Sequence, residues 1–171
     1  LDLALGGWQV SVIGYQQTGV HLTPTIQVPD PTGTRFTASA TRPLVTIRPD
    51  QLRDSSVADP GINGWFDPTA YAAPALGRFG TAERGSIEGP GLNVWHAGFH
   101  KDFRVSDRIG APVFRVELTT TNVFNQPQWG NPNVNVTPTN VSAAKITTTG
   151  GPTSWQQANA RTMRLGIRVD F

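Results

Sequence analysis

Four stretches of the chain alternate between apolar and polar residues with a period of two. That spacing makes a strand with one apolar face. In the first, Trp8 to Gln17, Trp8, Val10 and Val12 alternate with Gln9 and Ser11, and the phase blurs at Ile13-Gly14-Tyr15. In the second, 94–105, Trp95, Ala97, Phe99, Phe103 and Val105 share a face that only Lys101 interrupts. His96, Gly98, His100, Asp102 and Arg104 share the other. In the third, 113–122, Phe114, Val116 and Leu118 alternate with Arg115, Glu117 and Thr119. In the fourth, 162–171, Met163, Leu165, Ile167, Val169 and Phe171 alternate without exception with Arg164, Gly166, Arg168 and Asp170.

The connections between these strands are very unequal. Residues 106–112 make a short turn between the second and third. Residues 18–93 and 125–161 make two long segments rich in Pro, Gly, Asn and Thr, with a shorter strand expected near Leu44 to Arg48. Long loop, short turn, long loop is the asymmetry of an outer-membrane barrel, whose strands of about 9–11 residues cross the bilayer at a tilt. The expected fold is all-β: an antiparallel meander of long strands, the last four or so of a transmembrane β-barrel, with two long irregular loops. A secreted soluble β-sandwich that binds glycans is the alternative. It would turn the apolar faces toward one another, and alternation alone does not separate the two.

Composition narrows the choice. Gly and Pro, 18 and 14 of 171 residues, interrupt nearly every window long enough for a helix. Charged residues make up only 15%, and 20 Thr stand against two Lys. The net charge of +2 comes from twelve dispersed Arg without a basic stripe, so nucleic acid is not an expected partner. Cys is absent, which removes disulfides, Cys-ligated zinc and thiol catalysis. The opening Leu1–Gly7 has no initiator Met, basic segment or cleavage pattern, so chain upstream of it is expected.

On the barrel reading, Trp8, Trp95, Phe99, Phe103 and Phe114 face lipid, as amphipathic and aromatic rings favour the bilayer interface. His96, His100, Asp102, Arg104, Arg115, Glu117, Arg164 and Arg168 face the lumen, where Asp102 and Arg115 are candidates to pair. Trp65, Phe66, Tyr71, Trp129 and Trp155 lie in the loops. They can stack on a sugar or other small nutrient, or pin the loops to one another. His96 and His100, four apart on a strand, stand roughly 13 Å apart and cannot share a metal ion. No nucleophile elbow, phosphate loop or paired-His zinc motif occurs. Neither an enzyme nor a cofactor is expected.

Several words of the sequence, in their order, resemble the end of a known family. They include Trp65-Phe66-Asp67-Pro68, Gly77-Arg78-Phe79-Gly80-Thr81-Ala82-Glu83-Arg84, Gly89-Pro90-Gly91-Leu92-Asn93-Val94-Trp95, Asn122-Val123-Phe124-Asn125-Gln126-Pro127 and Arg161-Thr162-Met163-Arg164-Leu165-Gly166-Ile167. Together they resemble the C-terminal barrel of a TonB-dependent outer-membrane receptor of the Oar-like group, which carries a carboxypeptidase-regulatory-like domain. The resemblance implies energy-coupled nutrient uptake in the bacterial outer membrane, with membrane lipid as a partner. The TonB complex would act only through a plug, for which these residues hold no counterpart. It also implies that Phe171, with Val169, Ile167 and Leu165, forms the assembly signal read by the outer-membrane insertion machinery.

Overall fold

The computed structural model describes residues 6–29, 44–104, 106, 111–150 and 160–171. The alternating stretches form four long strands: β1 (Trp8–Gln17), β8 (Leu92–Arg104), β9 (Val113–Thr121) and β10 (Thr162–Asp170). They make one antiparallel sheet in the order β1-β8-β9-β10, a meander in which each long strand pairs with the next. Among the described residues there is no α-helix. The first and last strands, β1 and β10, are the two edges of this sheet.

The register explains the blurred phase of β1. Gly14 lies opposite Trp95. A Cβ on Gly14 would come within 2.8 Å of the Trp95 ring, so the glycine lets the indole lie against the strand. Alternation then continues, with Ile13 and Tyr15 on the polar face. The Tyr15 ring meets His96 edge-on at 5.7 Å.

The long loops carry more order than their Pro and Gly content suggests. Residues 18–93 hold β2 (His21–Leu22), β3 (Ile26–Pro29), β4 (Leu44–Ile47), β5 (Asp50–Gln51), β6 (Tyr71–Ala72) and β7 (Ile87–Glu88), paired as β2-β7, β3-β4 and β5-β6. A 3₁₀ turn, Pro68–Ala70, is capped by Asp67, whose carboxylate accepts from the Thr69 N–H at 2.9 Å.

The second loop folds onto the first. Thr25 pairs in parallel with Asn135. The Thr25 and Val136 amides donate to Val134 and Thr25 carbonyls. Trp65 N–H donates to Ala144 O, and Ile146 N–H to Ile62 O. Ile26, Phe66, Ala70, Tyr71, Ala82, Ile87, Val136 and Ala144 bury one shared apolar core. This loop unit sits at the end of the sheet where β1 leads out and β8 leads in. It is tied there by Gly89 N–H to Val20 O, and by Gln128, which both accepts from Asn93 N–H and donates to Asn93 O.

β9 stops at a turn built on asparagine. Asn122 and Asn125 take φ of 48° and 51°, a region that Asn tolerates better than most residues. The Asn122 amide closes the turn by bonding both N–H and C=O of Gln126.

Candidate functional site

The long sheet has two chemically distinct faces, and the register shows them strand by strand. Across one face run the rows Val10-Phe99-Leu118-Leu165 and Val12-Ala97-Thr120-Met163. Toward the open end of the sheet follow Trp8-Lys101-Val116-Ile167 and Phe103-Phe114-Val169. Trp95 stands on the same face at the loop end. Trp8, Trp95, Phe99, Phe103 and Phe114 therefore share one surface, together with Leu165, Ile167 and Val169. Leu165 and Ile167 are each 73% exposed.

Lys101 sits among these apolar residues yet is itself buried. Its ammonium lies 5.1 Å from the Trp8 ring centroid and 5.5 Å from that of Phe103, and donates to the Gly6 carbonyl. Two ring faces and a carbonyl replace water around the charge. Sequence reasoning registered only an interruption here. The box becomes visible once Trp8 is known to lie opposite Lys101.

The other face carries the polar set. His100 is opposite Glu117, and Gly98-Thr119-Arg164 form a row. Asp102 is opposite Arg115, and both its oxygens accept from the guanidinium, Nε at 2.7 Å and Nη2 at 2.9 Å. This bidentate fork fixes the two strands against each other on that face. Arg168 lies beside Arg115 and turns to Asp170 at 2.7 Å, which answers the like charge across the strand pair. Arg104 lies opposite Val113, and His96 opposite Ile13.

The loop aromatics separate into different surroundings. Phe66 and Tyr71 are buried and meet edge-to-face at 6.2 Å. The Tyr71 hydroxyl shares a hydrogen bond with Ser55 at 2.8 Å. As folded, neither ring has a face for a ligand. Both pin the loops to one another. Trp65 packs against the same core and donates from its indole to Glu88 O at 2.7 Å. Trp129 is half-buried and bridges to Thr149. Trp155 lies outside the described residues.

The loop unit also holds its own ion pairs. Asp50 is buried, accepts from Arg78 Nη1 at 2.6 Å and from Thr81 N–H at 3.1 Å, and its carboxyl is held below the usual range chiefly by Arg78, against the opposing effect of burial. Asp67 is likewise lowered, first by the Thr69 hydroxyl and then by Arg53.

A sandwich would need a second apolar sheet over the first, and among the described residues none covers the apolar face. That face instead suits lipid. Comparison with protein families gives a match to the outer membrane beta barrel domain over residues 1–164. Comparisons with curated proteins and with solved structures gave no match. Covering nearly the whole chain, the match accounts for both faces of the sheet: this protein belongs to the outer membrane beta barrel domain family and resides in the bacterial outer membrane.

Proposed function

We propose that the four long strands are part of the barrel wall of a TonB-dependent receptor that takes up a scarce nutrient. The observation that carries this is the pairing of a two-faced sheet, with an edge at each side, to one elaborate loop unit at a single end. Ten residues of β1 at roughly 3.3 Å each, tilted about 45°, rise roughly 23 Å, close to the height of a barrel's apolar band. Trp95 marks one end of that band. Trp8, Phe103 and Phe114 mark the other. Four strands do not close a barrel, and an edge in lipid would leave backbone groups unpaired. β1 and β10 therefore pair with further strands, from the same polypeptide or from other copies.

On this reading the loop unit faces outward and meets the nutrient first, since binding chemistry concentrates on loops held by a rigid scaffold. The polar face lines the lumen. Leu165, Ile167 and Val169 present the apolar side of β10, with Phe171 in phase beyond it, to the insertion machinery. Coupling to the TonB complex runs through a plug supplied by residues other than these.

Growth on single limiting nutrients, with and without the gene, tests the proposal. The expected result is a growth advantage on one nutrient that disappears when TonB is deleted. An advantage that survives the loss of TonB overturns the receptor reading and leaves a passive barrel.

A further inference from the structure

Four arginines lie between residues 44 and 90 of the loop unit. Two are neutralised, Arg53 by Asp67 at 2.7 Å and Arg78 by Asp50. The other two, Arg48 and Arg84, have no carboxylate partner among the described residues. Both line the same open groove of about 670 Å³. That volume fits a small ligand, for which sites run from about 300 to 1,000 Å³.

The groove is a built surface. Arg48 Nη1 donates to Ala82 O at 2.8 Å, which directs one edge of the guanidinium and leaves its remaining donors without a described partner. The turn that carries Arg84 is pinned to the facing wall, where Gly85 N–H donates to Thr23 Oγ1 at 3.0 Å and Gly85 O lies 3.1 Å from His21 Nδ1. Gly85 takes φ of 69°, which turns the chain there. Phe79, 70% exposed, supplies an aromatic ring to the rim. Thr23 and Thr46 supply hydroxyls, and Ile47 an apolar patch. Glu83 is exposed on the same turn but does not line the groove.

We infer that this groove binds a carboxylate-bearing sugar, captured as the nutrient of the receptor proposed above, and the inference rests on that reading. Guanidinium forks match carboxylate oxygens in pairs. An aromatic ring stacks on the C–H face of a pyranose, and threonine hydroxyls meet sugar hydroxyls. A free inorganic anion would use the arginines and leave the ring idle.

Calorimetry on the intact protein from outer membranes tests this, with tetragalacturonate as probe, its methyl ester as the neutral control and inorganic phosphate as competitor. The acid is expected to bind, the ester at least about tenfold more weakly, as loss of a charged hydrogen bond implies, and phosphate not to compete. Arg84→Gln, at a residue whose described side chain holds nothing else in place, is expected to weaken binding about tenfold. Phe79→Ala is expected to weaken it less. Arg48→Gln tests the second cation, with heat-modifiable migration as the check on folding. Equal binding of acid and ester, competition by phosphate, or unchanged affinity in Arg84→Gln overturns the site. Lost sugar binding alongside TonB-dependent growth refutes the groove alone. Sugar binding alongside TonB-independent growth refutes the receptor alone.

Discussion

Ile167 in β10 and Ile87 in the loop unit are the same side chain in opposite surroundings: the first is 73% exposed, the second 4%. The contrast extends to their neighbours. In the loop unit Ile26, Phe66 and Val136 face inward on one another. In the sheet Val10, Val12, Met163 and Leu165 face outward, more than half exposed. Fully burying such a side chain is worth about 1.5–3 kcal/mol. The loop unit realises that gain within itself. The sheet leaves it for a second medium, which on the proposed reading is the lipid of the outer membrane. The loop strands are two to four residues long and the sheet strands nine to thirteen, yet the medium beside an apolar side chain is legible only from what covers it.

Two substitutions test this division, the larger first. Phe66→Ala removes the ring at the centre of the loop core and is expected to cost about 3–5 kcal/mol there. Hydrogen exchange on the membrane-embedded protein should show lost protection at the Trp65 and Ile146 amides, which cross between the two loops. Amides of β9 and β10 should keep theirs. Equal loosening of the sheet would show the two regions to be one cooperative unit. Ile167→Arg comes next, at about 2–4 kcal/mol if the residue lies near the bilayer midplane and less toward an interface. Unfolding by urea in lipid vesicles measures it, with Arg164→Leu on the polar face as a control expected to cost little. A negligible cost for Ile167→Arg would remove the lipid from that face.

The sheet was readable because its signal is local. Met163 to Phe171 alternate without a break, and backbone geometry converts that directly into two faces. The Asp102–Arg115 pair was half readable: both residues stood on polar faces of strands joined by a short turn, while the bidentate contact needed the register. The Lys101 box was hidden for the same reason, because Trp8 lies over ninety residues away in sequence. The loop unit was the least readable part. Its core draws Ile26, Phe66, Ala82, Val136 and Ala144 from segments far apart, and no local period links them. Phe66 and Tyr71 illustrate the limit. An aromatic in a Pro- and Gly-rich loop reads equally as ligand contact or as anchor, and only burial decides.

The smallest expected effect is also the one that separates the regions by chemistry. Asp50, Asp54 and Asp67 lie in the loop unit, and all three carboxyls are lowered from the ordinary value of 3.8. Arg78 is the main cause for Asp50, the Ser56 hydroxyl for Asp54 and the Thr69 hydroxyl for Asp67. A carboxyl lowered by folding lends stability that is complete above its unfolded value and is lost as pH falls through the folded one. The loop unit should therefore hold its protease resistance from neutral pH down to about pH 4 and lose it below. The sheet should loosen less, because its apolar rows of Val10 and Leu165 contain no carboxyl and its Asp102–Arg115 fork is one contact added to three strand ladders. Asp50→Asn should remove part of that acid transition, because Arg78 then faces a neutral amide at every pH. Exposed Arg78 is partly screened by water, which keeps the effect modest. Limited proteolysis across pH reads the loops, and heat-modifiable migration reads the barrel. A barrel that loosens in step with the loops would show that the carboxylates stabilise both regions, and the division between them would fail.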